Sequence, residues 1–336
     1  MPCFHPITAY SRGKNPDTGK QIIKFTPPRG GDNDCGTLSL PCGQCRGCRL
    51  ERSRQWAIRC LHEASLHEKN CFITLTFNPE SLAARRDSRY GEWSLDVADW
   101  QGFMKRFKSH VRYHNGKSAA KKIRFYHCGE YGEMCKNCNL SIFNCSCGPN
   151  VAPILGRPHY HACIFGYDFP DKQVHKLANG IPLYYSKTLE KLWPFGFSTI
   201  GTVTFESAAY CARYIMKKIN GDMAENHYYR HDTGEILQPE YTTMSRRPGI
   251  ARPFIEKYLD DVYPHDFVVV NGKKMRPPRY YDSVLKTERP YTFDDVKENR
   301  EIEALKHLDN NTPERLKVRE LVMSQALSLL PRNKEF

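Results

Sequence analysis

The sequence predicts an α+β protein built on an antiparallel sheet with flanking helices. Apolar and β-branched runs at residues 71–77, 123–133 and 156–168 have the composition of strands. The last two are separated by a long loop, which is the signature of an antiparallel pair. Of the 336 residues, 40% are hydrophobic, which excludes bulk disorder and allows about two domains of ~150 residues or one large domain.

Helical periodicity marks the segments between and after these strands. Residues 46–69 carry apolar side chains on one side, and residues 95–114 repeat them at i, i+3, i+4, i+7 and i+11. A further strand over 197–205 is predicted to run into a helix over 206–219, with Ser207 as its N-cap. We expect the apolar stripe of the 95–114 helix to face the core: Trp100, Phe103, Met104, Phe107 and Val111.

Turn and cap residues organise the C-terminal part of the chain. Asn271-Gly272 follows an apolar run and predicts a two-residue hairpin turn. From about Tyr291 the pattern is helical. The last helix is predicted to begin with Thr312 as its N-cap and Pro313 in its first turn.

Composition divides the chain into three segments. Residues 1–50 are rich in Cys, Gly and Pro, and the first 45 of them, which hold PPRGGDNDCG, are predicted to be loops. Residues 51–290 form the central domain, with a Cys-rich insertion at 134–150. Residues 291–336 form a helical extension.

The charge of the chain favours a polyanionic partner. Fifty Lys and Arg residues against 37 Asp and Glu residues give a net charge of +13. Such an excess is typical of nucleic-acid-binding proteins, and a merely soluble basic protein is the alternative. No apolar run reaches the ~20 residues that cross a bilayer, and the N-terminus lacks the apolar segment of a signal peptide. We therefore expect no membrane partner and an intracellular location.

The cysteines occur in two groups whose short spacing is typical of thiolate metal sites. The insertion offers four thiolates within 13 residues, enough for tetrahedral Zn²⁺: Cys135, Cys138, Cys145 and Cys147. The N-terminal group offers three: Cys42, Cys45 and Cys48. This second group needs a fourth ligand, for which Cys35, Cys3 and His5 are candidates. Reduced thiols without a metal are the alternative for both groups.

Two histidines on one strand predict a second kind of metal site. His159 and His161 stand at i and i+2, so their imidazoles project from the same face of the strand and Tyr160 from the other. Glu130 ends the strand that we expect to pair with this one, and Glu133 is its competitor as the carboxylate ligand. A set of two histidines and one carboxylate suits Mg²⁺ or Mn²⁺ as well as Zn²⁺. Ordinary strand histidines are the alternative.

The 206–219 helix carries candidate nucleophiles. Tyr210, Tyr214 and Lys217 fall at i, i+4 and i+7 and share one face, with Lys218 at its edge. A tyrosine phenolate forms covalent intermediates, and a nearby lysine lowers its proton affinity or binds phosphate oxygens. With a metal opposite, this face predicts phosphodiester transfer in which one tyrosine cleaves and the other attacks the next junction. Two half-buried tyrosines beside extended lysines are the alternative.

Several of these motifs resemble those of the HUH endonucleases. His159-Tyr160-His161 resembles their His-hydrophobe-His motif, CFITLTF their first conserved strand motif, and YCARYIMKK their two-tyrosine motif. More closely, CGEYGE, GRPHYHACIFG, PCGQCRGC and MSRRPGIAR resemble the rolling-circle replication initiators of small single-stranded DNA phages, the Microviridae, of the gokushovirus (VP4) type. The resemblance covers roughly residues 1–255.

The resemblance implies a function and a fold. Such a protein nicks the plus strand at the phage origin, becomes linked to the 5′ end through tyrosine, leaves a 3′-OH and rejoins the circle. Tyr210 and Tyr214 would be the nucleophiles, His159 and His161 the metal ligands, and residues 51–290 an HUH domain on a βαββαβ plan. The implied partners are single-stranded or supercoiled origin DNA and the host helicase and DNA polymerase, in the host cytoplasm. The sequence itself lacks the phosphate-binding motif of a helicase.

Basic residues outside the tyrosine face are predicted to contact DNA. Eight Lys and Arg residues and no acid lie between Trp100 and Gly129. Two arginines also stand together in SRRPGIAR. A solvated charged face is the alternative reading of such runs. We expect contacts with the DNA backbone from seven residues: Lys105, Lys121, Lys122, Arg157, Lys218, Arg246 and Arg247.

Three other functions fit parts of the sequence. A plasmid-type HUH relaxase or a transposase would share the chemistry and differ in its DNA target. A non-enzymatic, zinc-bearing nucleic-acid-binding protein would use the cysteines and the charge, with the tyrosines only packing. A His-x-His metallohydrolase would cleave without a covalent step. A covalent protein–DNA adduct separates the transferases from the last two.

Overall fold

The computed structural model describes residues 3–30, 36–85, 90–135, 153–178, 180–214, 218, 223–230 and 234–329. The chain forms two compact units. The first is built on residues up to 52 together with residues 297–331, and the second on residues 53–296.

The strands of the described residues are short, except for the two long ones in the middle of the chain. In order they are β1 (Ile7–Lys14), β2 (Gln21–Lys24), β3 (Thr37–Leu40), β4 (Asn70–Phe77), β5 (Arg124–Cys135), β6 (Pro153–Phe165), β7 (Gln173–Ala178), β8 (Ile181–Tyr185), β9 (Gly196–Gly201), β10 (Tyr241–Met244), β11 (Val268–Val270) and β12 (Lys273–Met275).

The helices of the described residues alternate with these strands and then follow them. In order they are α1 (Arg46–Ala64), α2 (Pro79–Ala83), α3 (Val97–Lys122), α4 (Lys187–Leu192), α5 (Phe205–Tyr214), α6 (Met223–Tyr228), α7 (Arg252–Lys257), α8 (Leu259–Val262), α9 (Arg279–Glu288), α10 (Pro290–Leu305) and α11 (Pro313–Leu329). A short 3₁₀ turn, Asp309–Asn311, precedes α11.

The first unit contains a small antiparallel sheet with the strand order β2-β1-β3. The prediction of loops over the first 45 residues was therefore wrong. Two of the three strands have only four residues and lie beside Gly- and Pro-rich turns, so local propensity conceals them. They form because both pair with β1, in which Ala9 and Ser11 are buried.

The second unit contains a seven-stranded antiparallel sheet, and this confirms the predicted α+β class with flanking helices. Its strand order is β10-β5-β6-β4-β9-β8-β7. One face packs against α3 and α4, where Phe103, Leu189 and Leu192 are buried against Leu75 and Ala162. The other face packs against the end of α1 and against α5, α7 and α9. The helices thus cover both faces of the sheet.

Helix α3 confirms the predicted amphipathic pattern. The helix begins after Asp96, whose side chain accepts a hydrogen bond from the Ala98 N–H, and all five residues of its predicted apolar stripe are buried. It continues to Lys122, beyond the predicted end at residue 114, and is interrupted at Gly116. The φ of +87° at Gly116 is accessible to glycine at little cost.

Two of the three predicted cap and turn assignments are confirmed, and one is corrected. Asn271 and Gly272 both have positive φ and join β11 to β12 in a two-residue turn, and α11 begins after Thr312. Ser207, however, is not the N-cap of α5. Thr204 Oγ1 accepts from the Ser207 N–H and Ser207 Oγ accepts from the Thr204 N–H, at 3.2 and 2.8 Å. This reciprocal capping box makes Thr204 the N-cap and places Ser207 at the third helical position.

The outer strand β7 is irregular. Its pairing with β8 shifts register between Val174 and Lys176, so His175 is an extra residue in a β-bulge. Val174 and Leu177 on this strand expose 61% and 69% of their surface to solvent.

None of the helices in the described part of the chain combines the length and the apolar character that a membrane span requires.

Candidate active site

The register of three central strands brings together the predicted histidines and carboxylate. Strand β6 lies between β5 and β4, with Glu130 opposite His159 and Thr74 opposite His161. His161 Nε2 lies 2.6 Å from Glu130 Oε1 and forms a hydrogen bond with it. His161 and Glu130 are both buried, at 3% and 4% exposure. The structure thus joins two of the three predicted ligands in one pair.

Two threonines on β4 orient the histidines, and the sequence analysis missed them. The Thr74 and Thr76 hydroxyls lie 2.9 and 2.8 Å from the Nδ1 atoms of His161 and His159. A hydroxyl can donate or accept, so each threonine can hold its imidazole in either tautomer. The signal for them was the Thr-x-Thr alternation within CFITLTF, which puts both on the same face as the histidines once the register is known.

The ring of His159 occupies a space that a side chain at residue 132 would fill. A Cβ on Gly132 would lie 2.9 Å from His159 Nε2. The register of β5 against β6 also shifts between Tyr131 and Glu133, next to this glycine. Glycine at 132 therefore leaves room for the imidazole beside the bulge.

Helix α5 presents Tyr210 to this pair. The Tyr210 hydroxyl donates to Glu130 Oε1 at 3.4 Å, and its ring packs edge-on against His161 with centroids 5.0 Å apart. Phe72 stacks on His161 and also packs edge-on against Tyr210. The helix is anchored by its capping box and by Ser53, whose hydroxyl donates to the Ala209 carbonyl at 3.0 Å. The predicted nucleophile and the predicted carboxylate are therefore neighbours.

The other residues of the tyrosine face are only partly described. Tyr214 is the last described residue of α5, one turn beyond Tyr210, and its side chain lies outside the described residues. Lys217 lies outside them as well. Lys218 is described and half-buried.

Tyr210 packs against a core cluster that includes three buried thiols. Cys60, Cys163 and Cys211 come from α1, β6 and α5 and have no exposed surface. Burial raises the pKa of the Cys60 and Cys211 thiols well above its ordinary value. Both therefore remain neutral and contribute packing rather than charge.

The opposite face of β6 has a different chemistry. Tyr160 projects there, as predicted, and its hydroxyl donates to Asp99 Oδ2 at 2.6 Å. Burial raises the pKa of Tyr160 well above its ordinary value and lowers that of His127 well below it. Both groups are neutral and enclosed, so Tyr160 is not a nucleophile exposed to a substrate.

The donor set on the histidine face has the residue types of a divalent-cation site. The carboxylate is a ligand typical of Mg²⁺ and Mn²⁺, and the two imidazoles are ligands typical of Zn²⁺ and other transition metals. In the present arrangement His161 and Glu130 share a hydrogen bond, and the ring centroid of His159 lies 6.4 Å from that of His161. Glu133 cannot be compared with Glu130, because its side chain lies outside the described residues.

Within the described ranges, the side chains that come together as a group of possible metal ligands are four cysteines. The Sγ atoms of Cys3, Cys42, Cys45 and Cys48 all lie within 4.8 Å of one another, and such a group can bind a metal such as zinc. Cys3 is thus the candidate that joins the predicted triplet. His5 Nε2 instead contacts Glu320 at 2.8 Å, and Cys35 lies outside the described residues. Of the second predicted group, Cys138, Cys145 and Cys147 and the Cys135 side chain also lie outside them.

The predicted DNA-contacting residues do not gather at one place. Arg157 lies two residues before His159 on β6, beside the bulge, and its Nη1 donates to the Phe77 carbonyl at 2.9 Å. Lys121 and Lys122 end α3 next to the start of β5, and Arg246 and Arg247 follow β10, which pairs with that same part of β5. These four lie at the end of the sheet remote from Glu130.

Lys105 lies on the other side of the sheet from the histidine face. It is exposed on α3, which packs against the opposite face. Arg157 is therefore nearer to the histidines than Lys105, Lys121, Lys122, Arg246 and Arg247 are.

Comparisons with known proteins cover the part of the chain that holds this site. The family described as replication-associated protein ORF2/G2P matches residues 153–219, which include His159, His161 and Tyr210. The chain is 29% identical over 294 residues to the replication-associated protein VP4 of Bdellovibrio phage phiMH2K, a match that covers 86% of this chain and 79% of that protein.

Two further relatives have similar names. The chain is 28% identical over 319 residues to replication-associated protein ORF2 of Spiroplasma virus 4, covering 90% of this chain and 86% of that protein. It is 28% identical over 257 residues to replication-associated protein ORF4 of Chlamydia phage 1, covering 74% and 54%. No solved structure matches the chain. The resemblance to phage replication proteins of the VP4 type is confirmed.

Proposed function

We propose that this chain is a phage DNA replication initiator that nicks and rejoins the origin plus strand by tyrosine transesterification. The observation that carries this proposal is that the half-buried Tyr210 and the buried His161 both contact Glu130 Oε1. A phenol beside a carboxylate and an imidazole pair is suited to attack on phosphorus. The similarity to three phage replication-associated proteins supports the biological setting.

In the cleavage step Tyr210 is the attacking group. Its phenolic oxygen forms a bond to phosphorus as the bond from phosphorus to the 3′ oxygen breaks, which leaves a 5′-phosphotyrosine and a 3′-OH. Glu130 Oε1 accepts the hydrogen bond of the phenol and so orients the oxygen. The packing of Tyr210 against His161 limits the rotation of the ring. The 3′-OH then serves as the primer end for rolling-circle synthesis.

We assign the divalent ion, Mg²⁺ or Mn²⁺, to His159, His161 and Glu130. When bound there, such an ion polarises the phosphoryl group and stabilises the leaving oxygen. Thr74 and Thr76 hold the imidazoles from behind through Nδ1, which leaves Nε2 as the ligand atom. The chain would accordingly be a metal-dependent single-strand endonuclease and strand transferase.

The second tyrosine completes the cycle. Tyr214 lies one helical turn beyond Tyr210, and the i, i+4 spacing in the sequence predicts that the two tyrosines share one helical face. Tyr214 attacks the phosphorus of the regenerated junction, which forms a second 5′-phosphotyrosine and frees a 3′-OH. That 3′-OH then attacks the phosphorus linked to Tyr210, which releases the Tyr210 phenol and closes a unit-length circle. Lys217 is assigned to the phosphate oxygens or to lowering the proton affinity of the phenol.

We propose the remaining partners and cofactors on the same basis. Arg157 adjoins the histidines and is assigned to the DNA backbone near the cleavage point. Lys105, Lys121, Lys122, Lys218, Arg246 and Arg247 are assigned to contacts farther along origin DNA. Host helicase and polymerase would supply unwinding and synthesis. Zinc is proposed for both cysteine groups.

A covalent-adduct assay tests the proposal. A labelled single-stranded origin oligonucleotide is incubated with the protein and Mn²⁺ or Mg²⁺ and run on a denaturing gel. We expect an adduct that resists detergent, requires the metal, falls in Tyr210→Phe or Tyr214→Phe, and is absent in the double variant.

Tyr160→Phe is the matched control, because Tyr160 is a phenol on the opposite face. It should retain the adduct. DNA binding with neither nick nor adduct on a functional origin would leave the non-enzymatic nucleic-acid-binding protein. Cleavage that persists in the double variant would point to a metallohydrolase. Adduct formation on a plasmid origin but not on a phage origin would favour the relaxase or transposase.

A further inference from the structure

Four cysteines of the first unit are arranged as the ligands of a single metal ion. Cys3 comes from the N-terminal residues, Cys42 and Cys45 from the turn after β3, and Cys48 from the first turn of α1. Cys3 Sγ lies 3.5 Å from Cys42 Sγ and 3.8 Å from Cys45 Sγ. Ligands about 2.3 Å from a tetrahedral zinc are about 3.8 Å from one another, which agrees with this spacing. A disulfide would require about 2.05 Å.

Backbone N–H groups point at these sulfur atoms. Phe4 N lies 3.3 Å from Cys45 Sγ, Cys42 N 3.2 Å from Cys3 Sγ and Cys45 N 3.2 Å from Cys42 Sγ. Cys48 N lies 3.5 Å from Cys45 Sγ. N–H donors stabilise thiolates, but several thiolates within 4.8 Å repel one another unless a cation lies among them. The four sulfur atoms are therefore arranged as ligands of a cation.

We propose that Cys3, Cys42, Cys45 and Cys48 bind one structural Zn²⁺, independently of the proposed nicking reaction. Four sulfur ligands fill a tetrahedral ion completely and leave no position for water or substrate, so the site is structural. It joins residues 39 positions apart and closes the segment that contains β1, β2 and β3. Folding of this part of the chain therefore depends on the metal.

Metal analysis of the full-length protein tests this site. The zinc content per chain is measured by elemental mass spectrometry for the parent and for Cys42→Ser/Cys45→Ser. We expect the double variant to lose one equivalent relative to the parent, whatever the Cys-rich insertion contributes. Cys3→His should retain the equivalent, because imidazole is also a zinc ligand. Cys71→Ala, which removes a buried cysteine outside both groups, should retain it too.

A second measurement covers the case in which the double variant does not fold. The parent is reconstituted with Co²⁺, whose visible spectrum reports tetrahedral thiolate coordination, and Cys3→His should shift that spectrum while keeping the ion. Equal zinc content in parent and double variant, iron in place of zinc, or a cobalt spectrum that Cys3→His leaves unchanged would each overturn the assignment.

A second inference concerns a cavity beside the proposed active site, and it rests on the proposed function. The cavity has a volume of about 560 Å³, within the range of small-ligand sites. Aromatic rings supply much of its lining, among them His175, Tyr185 and Phe197. Phe197 is 64% exposed, so most of its ring is accessible to a ligand.

The strand register connects this cavity to the histidines. Phe197 on β9 lies opposite Thr76, whose hydroxyl contacts His159 Nδ1. Neighbouring strands lie about 4.8 Å apart, so the Phe197 and His159 backbones are separated by about 10 Å. Arg157 donates to the carbonyl of Phe77, which pairs with Gly196, the residue before Phe197. A cation and an exposed ring thus lie on the same side of the site.

We infer that Phe197 and the cavity next to it take one unstacked base of single-stranded DNA adjacent to the cleaved phosphate. The face of an aromatic ring accepts any nucleobase, and the net charge of +13 favours the DNA backbone. Glu190 at the cavity suits the amino group of a base rather than a phosphate. Arg157 is the neighbouring contact for the phosphate.

Equilibrium binding separates this inference from the cleavage chemistry. Anisotropy of a fluorescent single-stranded origin oligonucleotide is measured in the Tyr210→Phe/Tyr214→Phe background, where no adduct forms. Phe197→Ala should weaken binding by about 5-fold to 150-fold, the range for loss of one base stack, and Phe197→Trp should retain it. Phe25→Ala, which removes an equally exposed ring in the first unit, is the matched control.

Scanning single abasic positions through the oligonucleotide identifies the base. One position should weaken the parent but not Phe197→Ala. If Phe197→Ala binds like Phe25→Ala, or if no abasic position loses its effect in Phe197→Ala, the inference fails even when nicking is intact. If Phe197→Ala weakens binding in that background and the parent protein, with both tyrosines, forms no adduct on origin DNA, the base pocket stands and the nicking function fails.

Discussion

Replacing His161 by alanine should lower the rate of metal-dependent strand cleavage by about 100-fold or more. The substitution removes one proposed ligand and leaves the buried Glu130 carboxylate without the imidazole that it contacts at 2.6 Å. Initial rates of adduct formation over a Mn²⁺ titration measure the effect. Circular dichroism confirms that the variant is folded.

Further variants show whether the loss of cleavage in His161→Ala comes from the loss of metal binding. Thr74→Val removes only the contact to Nδ1 and should cost about 10–100-fold in apparent metal affinity, whereas Thr74→Ser should restore it. His307→Ala, at a histidine whose side chain is 65% exposed, should cleave like the parent. Parent-like cleavage by a folded His161→Ala would remove the histidines from the proposed mechanism.

Replacing Glu63 by alanine should cost about 3–5 kcal/mol of the free energy of unfolding, the usual loss when one partner of a buried ion pair is removed. The Glu63 side chain is 1% exposed and accepts from Arg124 Nε and, at 2.6 Å, from the Ala251 N–H. Arg124 also donates to the Pro248 and Gly249 carbonyls at 2.8 and 3.1 Å. The pair therefore fixes the segment that carries Arg246 and Arg247. Urea denaturation measures the loss.

The effect of Glu63 should also depend on pH. Burial by itself raises the pKa of this carboxyl, but hydrogen bonds from His67 and the Ala251 N–H and the charge of Arg124 bring it below its ordinary value. Its stabilisation is thus present above the ordinary pKa and is lost as the pH falls through the lowered one. The difference between parent and Glu63→Ala should narrow in acid. Glu68→Ala, at an exposed carboxylate, should change stability by less than about 0.5 kcal/mol at any pH.

Side-chain spacing within one strand or helix was sufficient to predict part of the candidate site. His159 and His161 share a face because side chains on alternate residues of a strand point to the same side. Tyr210 lies on a helix that the 3.6-residue period of the sequence predicts. Thr74 and Thr76 could not be assigned, because their contacts depend on the register between β4 and β6. Register is a property of the whole sheet, so no single segment contains it.

Long-range partners and short strands were the least predictable features. Nothing local distinguishes Cys3 from Cys35 or His5 as the fourth member of the cysteine group, because 39 residues separate Cys3 from Cys42. The basic residues were grouped by charge alone, and the structure separates Arg157 from Arg246 and Arg247 along the sheet. The strands of the first unit were missed because pairing, rather than propensity, stabilises them.

The bulge at His175 bears on whether two molecules of this protein can pair through the edge strand β7. An outermost strand presents unpaired N–H and C=O groups that another polypeptide can extend, and β7 also exposes Val174 and Leu177. The extra residue interrupts the regular ladder between Val174 and Lys176, and the lysine adds a charge at the same place. The bulge and the charge therefore disfavour the addition of a second chain to this edge in register. The strand can keep apolar side chains at the surface without templating fibrous aggregation.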